Sequence, residues 1–308
     1  MQKPAYPLCQ PTRTPSRPMS QSPSLPADPA DPLSAAANPA AAEVWRADET
    51  LHDLLMLRAE LLASTDGPAP GFAPGREAAL LRHLLARHRG PMPRRALVQI
   101  WREVFAATEA RARTIALCEA ETDSRHASSV REHFGSLTTL HVHRSTAQAI
   151  DEVRAGTAQA AALALPTEDD PAPWWTSFAY RSDPRMHVVA RLPFWKRQEE
   201  APSRVEMLVV AATAPEPSGA DRSLLALEWP PEQSRGHLLA ALRAAGFADA
   251  RPLAFRRDAR LPVAQALVDV DGFVPAADAR LAAVAVADTL RPASVFGAYA
   301  VPLEEMTP

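Results

Sequence analysis

Apolar and small side chains recur at Val44, Ala47, Leu51, Leu54, Leu55, Leu61 and Leu62. That three-and-four spacing predicts an amphipathic helix over about Ala42 to Ser64, closed by Asp66-Gly67-Pro68. A second helix is expected from Pro74, a residue suited to a first turn, to about Arg89-Gly90-Pro91. A third starts near Pro93, with Leu97, Ile100, Trp101, Val104 and Phe105 on one stripe and Thr108 in phase with it. At Thr114 the texture changes. The run TIALC reads as a buried strand, LTTLHVH as an alternating one and AALALP as another, with helical segments ending at Gly135 and Gly156 between them. This β-α-β-α-β rhythm predicts a parallel sheet with helical crossovers. From Asp221 the order is SLLALEW, a helix through GHLLAALRAAG, LAF, VAQALVDVDG, a helix to about Asp288, and SVFGAYAVP, hence β-α-β-β-α-β.

Charge placed on the apolar stripes is the first hint of chemistry. Arg58 lies seven after Leu51, four after Leu54 and three before Leu61, so it projects from the apolar face, where a guanidinium needs a partner. Arg76 is four before Leu80, and Glu77 four before Leu81. Two helices aiming cations and a carboxylate inward suggest a buried anion site; arginines snorkelling from a helix edge are the alternative.

Composition narrows the setting. A chain of 308 residues permits two or three domains. A net charge of -3 and a pI near 6.3 argue against nucleic acid or an anionic membrane as main partner. No apolar run is long enough to span a bilayer. Residues 1–41 read as a disordered tail: ten of the 31 prolines precede position 40, and no signal-peptide pattern is present. Cys9 and Cys118 lie far apart and form no disulfide framework, so a reducing cytoplasm is the expected compartment. His141 and His143 share a strand face, but no third ligand is spaced nearby; no metal and no cofactor is expected.

The run Leu51-x-x-Leu54-Leu55-x-x-Arg58, a break, then Pro74-x-Arg76-Glu77-x-x-Leu80-Leu81 and a third helix, resembles the all-α chorismate mutase domain. The chain beyond it resembles the prephenate dehydratase and ACT modules of bifunctional enzymes of phenylalanine biosynthesis, the likeness covering about Glu43 to Pro302. The resemblance implies a multidomain α plus α/β protein: a three-helix mutase domain at 42–112 forming an intertwined homodimer, a periplasmic-binding-like α/β dehydratase-type domain at 113–215, and an ACT-like βαββαβ domain at 220–303. Without it, the helices read as a hairpin serving as a dimerisation arm. The implied activity is the pericyclic conversion of chorismate to prephenate, with Arg58 and Arg76 on the substrate carboxylates, Glu77 on the ring hydroxyl and Thr108 supplying a further hydroxyl.

Several family positions are altered. The arginine that reaches into the partner's site falls at Ala41, and the lysine beyond the first helix is missing, since residues 59–75 contain no Lys or Arg. The third-helix glutamine falls near Ala112, leaving Arg46, Arg82 or Arg111 as substitutes. The dehydratase Gly-Pro-x-Gly loop is replaced by Glu119-Ala120-Glu121-Thr122, Pro-Ile-Glu-Asn-Ser by Pro166-Thr167-Glu168-Asp169-Asp170, and Thr-Arg-Phe by Val205-Glu206-Met207. Such an acidic cleft repels a dianion. In the ACT-like segment the effector turn is Gly236-His237-Leu238, and only Arg251-Pro252 stands at the second effector position. Three readings follow: a chorismate mutase with degenerate downstream modules, a bifunctional mutase–dehydratase, or a non-catalytic dimer that binds an aromatic-pathway metabolite or a partner enzyme.

Overall fold

The computed structural model describes residues 39–64, 72–108, 113–118, 124–168, 170, 173–178, 184–196, 206–257, 262–284 and 293–304. The expected tail up to residue 38, the loop at 119–122, Ala112, Arg111, Asp169 and Val205 lie outside the described residues. The chain divides into two compact units, Met1–Met56 and Leu57–Pro308.

Helix α1 spans Pro39–Ala63. It starts three residues earlier than expected, because a proline at the first turn gives up an N–H that a helix N-terminus leaves unpaired in any case. Helices α2 (Pro74–Arg87) and α3 (Arg94–Thr108) follow. Their stripes are covered within the chain: Ala78, Leu81, Leu85, Val98 and Phe105 share a core with Phe194, Trp195 and Ala300. Along α1, by contrast, Val44, Leu51, Leu54 and Leu61 are all more than half exposed.

The α/β part contains β1 (Thr114–Cys118), α4 (Ser124–Phe134), β2 (Thr139–His143), α5 (Thr146–Arg154), β3 (Ala160–Ala164), α6 (Trp175–Phe178), β4 (His187–Leu192), β5 (Trp195–Lys196) and β6 (Met207–Ala211). The C-terminal part contains β7 (Asp221–Trp229), α7 (Arg235–Ala244), β8 (Arg251–Arg257), β9 (Ala264–Asp271), α8 (Ala279–Ala283), β10 (Ser294–Ala300) and β11 (Leu303–Glu304). Among the described residues these strands form a nine-stranded sheet in the order β2-β1-β3-β6-β4-β10-β7-β9-β8 and a two-stranded pair of β5 with β11. Strands β2, β1 and β3 are parallel, as the crossover pattern predicts, while β6 runs antiparallel to β3 and β4. Both sheet faces are covered in the first half: Ala161 and Leu163 enter one cluster, with Ile150 and Trp175, and Ala160 and Ala162 enter another, with Val130 and Phe134. This two-sided burial explains the continuous apolar runs at β3 and β6.

In the C-terminal part β9 is antiparallel to both β7 and β8, so β7-α7-β8 is a crossover with β9 inserted, a split β-α-β unit. The two halves meet where β10 runs parallel to β4 at Gly297 and Val188. A Cβ on Gly297 would stand 2.2 Å from the Val188 carbonyl oxygen, so only glycine permits this approach.

Candidate functional site

The last two turns of α3 place Trp101, Phe105 and Thr108 beside Arg58 of α1. The Thr108 hydroxyl donates to the Val104 carbonyl at 2.7 Å, the local bond that a helical threonine makes to the preceding turn. Its oxygen accepts from Arg58 Nη1 at 2.5 Å. The guanidinium carbon lies 5.7 Å from the Trp101 ring centre and 5.6 Å from that of Phe105, within cation–π range of both. Partial burial pushes the Arg58 pKa down, and the negative charge of Glu77 opposes that shift. An arginine stays a cation in a protein, and among the described residues the Arg58 guanidinium makes one hydrogen bond, to Thr108. The remaining donors can take a carboxylate.

Glu77 is committed elsewhere. Its Oε1 accepts from Arg113 Nη2 at 2.6 Å and its Oε2 from Arg102 Nη1 at 2.8 Å, and both guanidiniums are 1% exposed. Arg102 also stacks over Phe194 and approaches His133 Nδ1 at 3.4 Å, while Arg113 lies over Phe134. Burial lowers the Arg102 pKa to about 10 in spite of Glu77. Glu77 is thus the counter-ion of two buried arginines, and both of its oxygens are in use.

Arg76 does not point into the apolar stripe as its spacing from Leu80 suggests. The buried face of α2 centres on Ala78, Leu81 and Leu85, and Arg76, two residues before Ala78, falls on the far side of the helix. It is exposed and pairs with Glu216 at 2.6 Å. Gly75 brings the α2 N-terminus against that same segment, since a Cβ there would lie 2.2 Å from the Glu216 carbonyl oxygen. The structure therefore brings Arg58 and Thr108 together, sets Glu77 within electrostatic reach, and turns Arg76 outward.

The substitute cations are also engaged. Arg82 donates to Ser218 Oγ at 2.6 Å and to the Val301 carbonyl at 2.5 Å, anchoring α2 to the sheet. Arg46 is bonded to the Ala42 carbonyl, and Arg111 lies outside the described residues. At the dehydratase-like positions, Glu168 pairs with Arg235 at 2.9 Å and Glu206 with Arg191 at 3.1 Å. At the ACT-like positions His237 is exposed, and Arg251 is held by Asp249. His141 and His143 both approach Glu152 Oε2, at 2.9 and 3.3 Å; among the described residues no three His, Cys, Asp or Glu side chains are arranged to hold a metal ion.

Arg102, Arg113 and His133 were not among the expected site residues. Arg102 had the same signal as Arg58: it lies four after Val98 and three before Phe105, on the buried face of α3. Arg113 precedes β1 in a connection with no periodicity, and His133 stands in a polar helix, so neither is marked by the sequence.

No family model matches the chain, and no curated protein sequence matches it. Solved structures are similar to it at low identity. GqqA, described as a novel type of quorum quenching acylase, is 17% identical, with 62% of this chain and 96% of that one covered at a TM-score of 0.44. Prephenate dehydratase from Arthrobacter aurescens in complex with L-Phe is 14% identical, covering 61% and 89% at a TM-score of 0.40. The enzyme from Streptococcus mutans is 12% identical, covering 61% and 97% at a TM-score of 0.40. No helix among the described residues is long and apolar enough to cross a membrane. At such identities and TM-scores, activity and ligand have to be argued from the side chains of this chain.

Proposed function

We propose that this protein is a self-pairing, chorismate-binding relative of the bifunctional chorismate mutase–prephenate dehydratases, in which the mutase-type segment at 42–112 binds its ligand without rearranging it efficiently. The observation that carries this reading is the contrast between Arg58 and Glu77. Arg58 keeps donors to offer beside Thr108, Trp101 and Phe105, whereas both oxygens of Glu77 are taken by buried arginines. A pericyclic rearrangement needs the substrate folded into its reactive shape and a donor poised at the developing charge on the ether oxygen. One carboxylate clamp binds but does not fold the substrate. A missing donor of that kind costs about 2.7–4 kcal/mol of barrier.

The exposed apolar face of α1 supports pairing with a second copy, which would also bring a second α1 to the site. The segments at 113–215 and 220–303 are read as dehydratase-type and ACT-like modules kept as scaffold. The acidic substitutions and the ion pairs of Glu168 and Glu206 speak against dehydration there. The expected setting is the cytoplasm, with no metal, cofactor or nucleic acid.

A second reading, a slow chorismate mutase, is favoured by the Arg58–Thr108 contact itself. One experiment separates the two. The full chain is titrated with chorismate by tryptophan fluorescence while chorismate, prephenate and phenylpyruvate are followed over time. Saturable binding that Arg58→Ala abolishes, with no product above the uncatalysed rate, is the expected result. Prephenate formation that Arg58→Ala removes would establish the mutase, and phenylpyruvate the bifunctional enzyme. Neither binding nor turnover would sink both readings.

A further inference from the structure

Charge is divided unevenly among the first three helices. Helix α1 carries five carboxylates, Glu43, Asp48, Glu49, Asp53 and Glu60, against two arginines. Between residues 78 and 102, across α2 and α3, stand six arginines and no carboxylate. Opposite charge gathered on separate surfaces steers two molecules together and fixes how they meet.

The α1 carboxylates have no counter-ion of their own. All five are exposed, and among the described residues none is in an ion pair; Glu49 accepts a hydrogen bond from Trp45 Nε1 at 3.0 Å. Glu49, Asp53, Leu57 and Glu60 follow one another at spacings of four, four and three, so they share one face of the helix, with Leu54 at its edge. Leu54 and Leu57 are both exposed. Two carboxylates four residues apart on a helix repel each other, a cost that a cation laid across them removes. This face therefore fits a surface that is cationic and apolar at once.

The connection from α2 to α3 is such a surface. His88 Nε2 lies 2.8 Å from the Met92 carbonyl oxygen, and Arg89 Nη1 donates to the carbonyls of Ala86 at 3.2 Å and His88 at 2.7 Å, so the turn is braced from within. It presents an exposed Met92 beside Arg87 and Arg89, both exposed and meeting no carboxylate among the described residues. Arg82, Arg95 and Arg102, by contrast, are engaged within the chain. We infer that the acidic face of α1 docks on the α2–α3 turn of a second copy, with Arg87 and Arg89 against Glu49 and Asp53 and Met92 against Leu54 and Leu57. Two-fold symmetry makes the contact twice, so each copy answers the charge of the other. The inference rests on the self-pairing proposed above and names the surface that α1 meets; it does not involve Arg58 or its ligand.

The test uses the full chain, sedimented at about 1–100 μM. The expected result is a dimer whose dissociation constant rises at least about tenfold between about 0.05 and 0.5 M sodium chloride, since exposed charges are screened. Arg87→Glu with Arg89→Glu, and separately Glu49→Arg with Asp53→Arg, should each give a monomer of unaltered helix content. An equimolar mixture of the two should restore the dimer, because each reversed face then meets a reversed partner. Should either variant fail to fold, hydrogen exchange in the unaltered protein decides: protection should rise with concentration at residues 49–60 and 87–93 together. A dimer that survives Arg87→Glu with Arg89→Glu, a mixture that stays monomeric, or protection gained in α1 alone would overturn the docking while leaving self-pairing in place. A monomer at about 100 μM would overturn both.

Discussion

At the scale of single residues, the two charged neighbours Arg76 and Glu77 differ in everything but position. Arg76 is largely in solvent and its partner Glu216 is partly exposed, so Arg76→Ala should change stability by less than about 1 kcal/mol. Glu77→Gln removes the carboxylate that the two buried guanidiniums of Arg102 and Arg113 share and should cost about 3–5 kcal/mol in denaturant unfolding. Equal effects would mean that the buried cluster is hydrated in solution. His133 gives the same cluster a pH dependence. It faces Arg102 and Arg113, with Glu77 between them, and its folded pKa lies well below the unfolded value of about 6.5. Below that value the unfolded chain takes up a proton that the folded one refuses, so stability is complete above about pH 6.5 and falls as the pH drops. The slope should approach about 1.4 kcal/mol per pH unit, and His133→Asn should flatten it. An unchanged slope in that variant would place the titrating group elsewhere. Arg58 was legible because its phase on the stripe left only one direction to point. Arg76 was misread because an exposed first turn can match a leucine at i+4 and still face solvent, when the buried face is set by Ala78, Leu81 and Leu85.

At the scale of elements, periodicity located α1 to α5, β1 to β3 and the elements from β7 to β10, since each has a face to bury. The start of α1, the short α6, the buried strands β4 and β6 and the brief β5 and β11 escaped it: a proline-led first turn and two- to four-residue elements carry no period, and strands buried on both faces show no alternation. The partner of each face was a different matter. The stripes of α2 and α3 look like that of α1 in sequence, yet theirs meet Phe194, Trp195 and Ala300, far along the chain, while that of α1 is open. Long-range covering of this kind leaves no local mark. If α1 pairs with a second copy as proposed, Leu51→Glu combined with Leu54→Glu should convert a dimer into a monomer. Both side chains are exposed in the single chain, so helix content by circular dichroism should hold. Sedimentation of the unaltered protein as a monomer at about 100 μM, a concentration well above the micromolar range of weak specific pairs, would refute the pairing.

At the scale of the whole molecule, the expected boundary near residues 215–220 coincides with the connection between β6 and β7, but the sheet runs across it. The join is narrow in backbone terms, one parallel pairing at Gly297 and Val188, and side chains reinforce it. The Tyr299 hydroxyl on β10 donates to Asp269 Oδ2 on β9 and accepts from Arg191 Nη1 on β4 at 3.0 Å, while Arg191 Nη2 holds Glu206 at 3.1 Å beside β6 and Arg222 holds Asp269 from β7. Burial, then the Asp269 charge, raises the Tyr299 pKa to about 12, so the phenol keeps its proton across the working pH range. None of this was legible: Arg191, Asp269 and Tyr299 each sit in an ordinary strand pattern, and only the meeting of β4 with β10 gives them a common purpose. Because this network takes residues from both halves of the sheet, residues 113–304 should unfold in one step, with equal calorimetric and van't Hoff enthalpies. Tyr299→Phe removes two hydrogen bonds to charged groups and should cost about 1.5–3 kcal/mol. The loss should appear as the same drop in hydrogen-exchange protection in β1 and β3 as in β8 and β9, since one cooperative unit has one opening free energy. If protection fell only in β7–β10 while β1 and β3 kept theirs, the halves would be autonomous domains that share a sheet edge, and the Arg191–Tyr299–Asp269 network would be a latch between them.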